Sequence, residues 1–335
     1  MTNLVSDLIN FLKFQKENNI NIGFFCENKN IFEYLKPYIL KKSKNKKIII
    51  ISFEKIDLNL PNVLQFVFLT NFFREIVFLT LRLKYLYSST PGLNFTLFKK
   101  TKFSKCKYVY LQHSLCSMTM IYSKNAFNEF DGIQAVTNYQ FEELNEIKKV
   151  NKLKLKIFKS NYLFLKEKYL NYSFETKKNI LIAPTWNTNF YKLGFHKKLS
   201  YLLNKNNISF DLRPHPMSIK NDEIKLEELN NLEININIKP NLNFFEYQIL
   251  ISDWSGLFIE YFVINKKVLL VNSEKKVLNK EYMSLPNQPA EVRLREKLFK
   301  NFSINDLENI IPEIKKMIKE NTKNPNKIDK FYFDL

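Results

Sequence analysis

Glycine, histidine, tryptophan and cysteine are all scarce in this 335-residue chain, which contains 5, 3, 2 and 3 of them. The few glycines form neither a GxGxxG nor a GxxxxGK[ST] motif, which excludes a dinucleotide fingerprint and a P-loop. Three histidines without an HExxH motif argue against a histidine-rich metal site. The three cysteines form no CxxC pair, so the sequence excludes a disulfide framework and fits a reducing cytosol.

Long uninterrupted apolar runs are also missing. Arg74 and Glu75 interrupt the most apolar stretch, residues 63–87, which falls short of the roughly 20 apolar residues of a spanning helix. We predict a buried strand and helix here. The alternative is an interfacial segment whose basic residues reach the headgroups of a membrane. The N-terminus lacks the charged region and cleavage site of a signal peptide, so we expect a cytoplasmic protein.

The positive charge is unevenly distributed along the chain. The formal net charge is +19, yet residues 1–200 hold 32 basic and 14 acidic residues, whereas residues 201–335 hold 20 and 19. An AT-rich coding sequence explains much of the lysine without selection, but not why the excess stops near residue 200. The other interpretation is that the positive charge binds an anionic partner. An anionic membrane surface, or a phosphate-bearing acceptor held on it, is a better candidate for this partner than nucleic acid. Because no nucleic-acid-binding signature accompanies the charge, we expect no nucleic-acid partner.

Short β-branched or aromatic runs alternate with helical periodicity, which is the pattern of α/β proteins. The length suggests two domains. A lysine-rich stretch marks the boundary, so we predict domains at residues 1–160 and 161–335. A last helix is predicted near residues 304–321. One arrangement left open by the sequence is that this helix packs back on the N-terminal domain. The predicted strands cover residues 20–26, 47–52, 63–69, 84–88, 108–112, 132–137, 153–158, 179–183, 208–212, 233–238, 249–253 and 268–272. Between the last three strands, helices are expected at residues 244–248 and 256–264.

Polar residues of uncommon types follow several of these strands. Ligands of open α/β sheets bind at the carboxyl ends of the strands, and His113 lies at such an end. Its imidazole titrates near neutrality and is a candidate general base for an attacking hydroxyl. The alternative is a strand-end histidine whose nitrogens are satisfied by the backbone.

Two further strand ends lie in the second half of the chain. Pro184 ends a strand and leaves Thr185 and Trp186 at the sheet edge. The next strand ends in RPHP (residues 213–216), where two prolines stiffen the loop that carries Arg213 and His215. An arginine with a partly cationic imidazole suits phosphate oxygens, while a plain structural turn is the alternative.

The segment SDWSG (residues 252–256) is the strongest local signal. It predicts a strand that turns and becomes a helix whose first turn carries Glu260. The helix start, with the Ser255 hydroxyl and the close approach allowed by Gly256, would bind a diphosphate, and Glu260 would accept from a ribose. Alternatively, Ser255 only caps the helix and Asp253 supports the turn.

These motifs, in this order, resemble the CDP-glycerol glycerophosphotransferases, which build teichoic acids and phosphate-containing capsules. The resemblance is best over residues 105–275 and implies a GT-B-like α/β fold with two Rossmann-like, doubly wound domains facing a central cleft. It makes His113 the catalytic base and assigns the transferred phosphate to Arg213 and His215. The nucleotide and phosphate site would further include Thr185, Trp186, Ser252, Asp253, Ser255, Gly256 and Glu260. The chain departs from the family pattern at Asn187, Gly256 and Lys267, which stand where an arginine, a second serine and a proline are usual.

The resemblance implies transfer of a polyol phosphate, by default glycerol phosphate, from a CDP-alditol to a saccharide or polyol-phosphate acceptor, with release of CMP. A lipid-linked acceptor would place the enzyme at the inner face of the membrane. No firm cofactor is expected and a divalent cation is not indicated. The alternative is a GT-B glycosyltransferase that uses a nucleotide sugar.

Overall fold

The computed structural model of the chain describes residues 2–17, 20–93, 100, 104–171, 178–230, 234–238, 242–265 and 267–320. Their contacts define two compact units. The first contains the chain up to His113 together with Tyr122–Glu167. The second contains Ser114–Ile121 and the chain from Lys168 to residue 320. Nothing in the sequence indicated that a short central segment belongs to the second unit.

The first unit is built on a seven-stranded parallel sheet, in the order β3-β2-β1-β4-β5-β6-β7. The four isoleucines of β2 are fully buried, as expected for a parallel strand covered on both faces. All seven strands predicted in this half are confirmed. They are β1 (Ile22–Cys26), β2 (Ile48–Ser52), β3 (Val63–Val67), β4 (Tyr85–Ser88), β5 (Lys107–Tyr110), β6 (Gly132–Ala135) and β7 (Lys156–Lys159).

Among the described residues, five α-helices accompany this sheet. The Asn28 side chain caps α2 by accepting from the Ile31 N–H at 3.0 Å, and Thr137 caps α4 by accepting from the Gln140 N–H at 3.1 Å. These caps fix where the chain leaves β1 and β6, at the carboxyl ends of the strands. The helices are α1 (Thr2–Glu17), α2 (Lys29–Ser43), α3 (Asn71–Leu79), α4 (Asn138–Val150) and α5 (Leu163–Asn171).

The second unit has a five-stranded parallel sheet in the order β12-β11-β10-β8-β9. The strand order reverses between β8 and β10, and a doubly wound sheet binds its ligands at such a switch point. The strands are β8 (Lys178–Ile182), β9 (Phe210–Leu212), β10 (Tyr247–Ser252), β11 (Val268–Val271) and β12 (Asn301–Phe302).

Two predictions in this half are corrected. Of the run predicted as a strand at residues 233–238, the described residues 234–238 form one parallel bridge, from Ile236 to Leu212. In this bridge the Leu212 N–H donates to the Asn235 carbonyl and the Asn237 N–H donates to the Leu212 carbonyl, both at 2.9 Å. Residue 233 lies outside the described residues. A helix expected at 244–248 is a single turn, Phe244–Glu246, that leads directly into β10.

The described part of the second unit contains six α-helices. The buried face of α11 supplies Ile310, Ile311 and Ile314 to the core of this unit. The apolar face of this helix thus completes the second core, and its packing on the N-terminal domain stays a prediction. The helices are α6 (Phe195–Lys205), α7 (Pro216–Lys220), α8 (Leu226–Asn230), α9 (Leu257–Asn265), α10 (Ala290–Leu298) and α11 (Ile310–Lys319).

His196 on α6 makes stability depend on pH. It is 2% exposed, and neither ring nitrogen has a partner among the described residues. Burial, with a smaller effect of Lys197, lowers the pKa of its imidazole to about 4. The unfolded chain, with a histidine pKa near 6.5, therefore binds the proton first, and stability falls as the pH drops from about 6.5 toward 4.

We expect His196→Phe to remove this contribution of His196 to the pH dependence of the unfolding free energy. Between pH 6.5 and 5 the wild type should lose about 1.5 kcal/mol more unfolding free energy than the variant. Urea unfolding at both pH values measures the difference. Equal losses in the two proteins would show that His196 does not titrate in this window.

Candidate functional site

Asp253, at the end of β10, joins three strand ends of the second sheet. Its carboxylate accepts from the Thr185 N–H at 2.7 Å, the Thr188 hydroxyl at 3.1 Å and the Ser273 hydroxyl at 3.0 Å. The side chain is fully buried, and burial raises its pKa despite these hydrogen bonds. Both oxygens are used within the protein, so the geometry favours support of the turn over contact with a phosphate.

Ser252 is used in the same way, whereas Ser255 is more accessible. The buried Ser252 hydroxyl donates to the Ala183 carbonyl at 2.6 Å and ties β10 to β8. The partly exposed Ser255 hydroxyl accepts from the Leu257 N–H at 3.2 Å, at the start of α9. Glu260, in the first turn of α9, is 5% exposed.

Gly256 packs closely against another segment of the same unit, at Ser114 and Cys116. A Cβ on Gly256 would lie 2.2 Å from the Cys116 Sγ and 3.5 Å from the Ser114 Cβ. Cys116 belongs to the inserted segment Ser114–Ile121, and burial raises the pKa of its thiol, which keeps it neutral. The backbone at Gly256 thus lies against the protein's own thiol, and the approach of a ligand at this residue stays a prediction.

The inserted segment is held by polar contacts as well. The Ser117 N–H donates to the Glu291 carboxyl at 2.8 Å, and the Asn279 side-chain amide donates to the Thr119 carbonyl at 2.9 Å. These bonds tie Ser114–Ile121 to α10 and to the loop that follows β11.

We expect Gly256→Ala to destabilise the second unit by about 1–3 kcal/mol, the usual cost of overpacking a core. Adding Cys116→Ala should restore most of the loss, because the clashing sulfur is gone. Gly132→Ala is the matched control, since its added Cβ would meet its neighbours at an ordinary 3.7 Å. Urea unfolding of the single and double variants measures the coupling, and additive effects would contradict this packing.

Thr185, Trp186 and His215 lie together at the carboxyl edge of the second sheet. The ring centroids of Trp186 and His215 are 6.2 Å apart. The Lys276 ammonium lies 4.3 Å from the Trp186 ring centroid and donates to the Thr185 hydroxyl over 3.5 Å. The sequence missed Lys276, because it is one of a pair of lysines in the loop after β11 and nothing local sets it apart.

His215 is a neutral donor in this arrangement. Burial, together with the charges of Lys276 and Arg213, lowers its pKa to about 3. Its Nδ1 accepts from the Met217 N–H at 3.1 Å, so the proton of the neutral ring lies on Nε2. The sequence analysis expected a partly cationic imidazole, but with this lowered pKa the ring is neutral near pH 7 and presents an Nε2–H.

Arg213 and Asn187 flank this cluster. The Arg213 N–H donates to the Ile182 carbonyl at 2.8 Å, so the arginine directly follows the sheet edge. Asn187 has φ 60°, a left-handed conformation that asparagine tolerates, and its N–H donates to Glu223 at 2.7 Å. Asn187 thus forms a turn.

His113, in the first unit, follows β5. Its Nδ1 lies 2.9 Å from the Tyr110 hydroxyl, which in turn lies 3.4 Å from the Tyr122 hydroxyl. The rings of Tyr34 and Tyr122 pack near the imidazole, with centroids at 5.7 and 6.1 Å. The histidine is thus oriented by tyrosines.

Within the described part of the chain, no three His, Cys, Asp or Glu side chains are grouped so that they could hold a metal ion. The described helices also include none that is both long and apolar enough to cross a membrane.

The two doubly wound parallel sheets have the α/β architecture of the GT-B class, which confirms the predicted fold class. Residues 166–333 match the model of the CDP-glycerol:poly(glycerophosphate) glycerophosphotransferases, and the chain belongs to this family of enzymes. The family predicted from the motifs is thereby confirmed. No curated protein matches the sequence.

Solved structures of low sequence identity share the fold. The wall teichoic acid polymerase TagF is 14% identical, with a TM-score of 0.56 over 99% of this chain and 93% of that one. A substituted form of TagF soaked with CDPG is 15% identical, with a TM-score of 0.56 over 98% and 87%. UDP-N-acetylglucosamine 2-epimerase from Rickettsia bellii is 14% identical, with a TM-score of 0.56 over 92% and 90%.

Proposed function

We propose that the protein transfers glycerol phosphate from CDP-glycerol to a hydroxyl of a saccharide or polyol-phosphate acceptor and releases CMP. The observation that carries this proposal is the cluster of Trp186, His215 and Lys276 at the switch point of the second sheet, within the residues that match the family. An aromatic ring, an imidazole N–H and cations suit a nucleotide and its phosphates.

In the proposed reaction the acceptor oxygen attacks the phosphorus that bears the glycerol. The bond from this phosphorus to the bridging oxygen breaks, and CMP leaves with the electron pair. The hydroxyl proton passes to a base, and the new bond is a phosphodiester. Arg213 and the His215 Nε2–H would stabilise the charge on the phosphoryl oxygens, since preorganised donors act on charge that develops during transfer.

We assign the base to His113. With Nδ1–H donating to the Tyr110 hydroxyl, and that hydroxyl donating to Tyr122, Nε2 is left unprotonated. This tautomer can accept the proton of the acceptor hydroxyl. Tyr110 is then a positioning residue, because it fixes the ring and its tautomer without touching substrate.

Phosphorus NMR of the product tests the reaction. Purified protein with CDP-glycerol and a glycerol-phosphate-primed acceptor should give CMP and a new phosphodiester resonance in equal amounts. A nucleotide sugar turned over to a glycoside, with no phosphodiester, would establish the alternative glycosyltransferase and reject this proposal.

We also propose that the enzyme acts at the inner face of an anionic membrane on a lipid-linked acceptor. Leu69, Phe72 and Leu79, at and beside α3, are 60%, 67% and 58% exposed, beside the exposed Arg82 in the basic half of the chain. Exposed apolar residues with neighbouring cations suit an anionic lipid surface. Cosedimentation with phosphatidylglycerol vesicles but not with phosphatidylcholine vesicles would support this, and no binding to either would reject it.

A further inference from the structure

Lys276, in the loop between β11 and α10, is a buried cation without an ion-pair partner in the described part of the chain. It is 9% exposed, and none of the described carboxylates forms an ion pair with its ammonium. Its contacts are the Trp186 ring at 4.3 Å and the Thr185 hydroxyl at 3.5 Å. A buried ammonium loses much of its hydration, so charges of this kind are normally paired or bound to a ligand.

The nearest acidic groups are engaged elsewhere. Asp253 accepts from three protein donors, one Glu223 oxygen accepts from the Asn187 N–H, and one Glu291 oxygen accepts from the Ser117 N–H. Burial raises the pKa of Glu291 to about 7, so this carboxyl carries only part of a charge at neutral pH. The charges of these acids partly offset the positive charge of Lys276, but none of the three forms an ion pair with its ammonium.

The surroundings of Lys276 are arranged for an anion. The charges of Lys276 and Arg213 both act on the His215 ring, which presents its Nε2–H at the same edge of the sheet. Two neighbouring cations disfavour each other's charged form, and an anion bound between them relieves this repulsion. A diphosphate offers enough oxygens to accept from all three.

We propose that Lys276 binds the diphosphate of the nucleotide donor, with its ammonium held in place by Trp186 and Thr185. The identity of the donor rests on the proposed function, whereas the anion site rests on the geometry alone. Lys276 is then a substrate-binding residue of the second unit that no sequence motif marks.

Lys275 provides a matched control. It is adjacent in sequence and carries the same charge, but it is exposed, and its ammonium lies 5.7 Å from the ring centroid of a different tryptophan, Trp254. Lys276→Met and Lys275→Met therefore change the net charge equally and differ in what they remove. Methionine keeps most of the aliphatic stem against Trp186.

Isothermal titration of the wild type and both variants with inorganic pyrophosphate, CDP and cytidine tests the proposal. Lys276→Met should weaken pyrophosphate and CDP binding by about 10- to 100-fold, the effect of one charge-assisted hydrogen bond, and leave cytidine binding unchanged. Lys275→Met should bind all three as the wild type does. The melting temperature of Lys276→Met should equal or exceed that of the wild type, because an uncompensated buried charge is gone.

Three outcomes would overturn the proposal. Unchanged CDP and pyrophosphate binding in Lys276→Met, equal losses in the two variants, or failure of the wild type to bind either phosphate compound would each exclude this site. A lowered melting temperature with unchanged ligand binding would make Lys276 a structural counter-ion. If the methionine variant does not fold, Lys276→Gln takes its place in the same titrations.

Failure of the proposed function gives a different result. A protein that binds CDP and pyrophosphate through Lys276, yet forms no phosphodiester from CDP-glycerol, would retain the anion site and lose the reaction.

Discussion

Replacing His215 by alanine is expected to lower turnover at least about 100-fold, with CDP-glycerol as donor. The ring presents an Nε2–H beside Lys276 and Trp186, and removal of one donor aimed at developing charge typically costs about 10²–10³ in rate. The loss should appear in kcat and in kcat/KM alike, since this donor acts mainly in the transition state.

Alanine also removes a helix cap, so two further variants separate the effects. The Nδ1 of His215 caps α7 by accepting from the Met217 N–H. His215→Asn keeps a good capping side chain and loses the Nε2–H, whereas His215→Gln offers an amide N–H near the Nε2 position and loses the cap. We expect His215→Asn to be as inactive as His215→Ala and His215→Gln to retain more activity. Near-normal turnover of His215→Asn would remove this histidine from the mechanism.

The His215 pKa also predicts the shape of the pH profile. Because the pKa of the free enzyme lies at about 3, kcat/KM should show no titration of His215 between pH 5 and 8. If kcat/KM of the wild type changes with pH between 5 and 8, and this change disappears in His215→Gln, the imidazole titrates in this range and the prediction is wrong.

Replacing His113 by alanine is the second change with a large expected effect, a loss of turnover of at least about 100-fold. A positioned general base typically contributes about 10²–10⁴-fold. CDP binding should be unchanged, because the proposed donor residues belong to the second unit and His113 belongs to the first. Steady-state kinetics with titration calorimetry separates the two effects. Normal turnover of His113→Ala would assign proton transfer to another group.

Tyr110→Phe is the graded control for this assignment. The Tyr110 hydroxyl, 2.9 Å from the His113 Nδ1, fixes the tautomer but touches no substrate in the proposed mechanism. We expect a smaller loss than for His113→Ala, of about 10-fold, because a histidine that samples both tautomers is only part of the time unprotonated at Nε2. Equal losses in the two variants would mean that Tyr110 itself is catalytic.

Much of the architecture could be predicted because each signal lies within a few residues. The isoleucine run of β2 is buried on both faces, and its continuous apolar pattern is typical of a parallel strand. A prediction failed where the outcome depends on the extent of pairing with another strand. The alternating pattern of residues 234–238 indicates a strand, but these residues pair with Leu212 through a single bridge, and no local pattern shows how far such pairing extends.

The candidate site divides in the same way. Residues 185–186, 213–215 and 252–256 were located from sequence because each motif ends a strand, and parallel strands place their carboxyl ends at one edge. What each side chain does there was not predictable. Asp253 and Ser252 match a ligand motif as well as they match a turn, and only their partners Thr185 and Ala183 favour the turn.

The sequence by itself thus excluded a dinucleotide fingerprint and a P-loop, and the motifs that follow its strands predicted a phosphate site at the strand ends. Only the tertiary structure decided which atoms face that site. Gly256 faces Cys116, 140 residues earlier in the sequence, and His215 is kept neutral by burial and by the charges of Lys276 and Arg213. Lys276 differs from the neighbouring Lys275 in its burial and in its contacts with Trp186 and Thr185. Burial and charge–charge interactions depend on distances in space, which the order of residues along the chain does not contain.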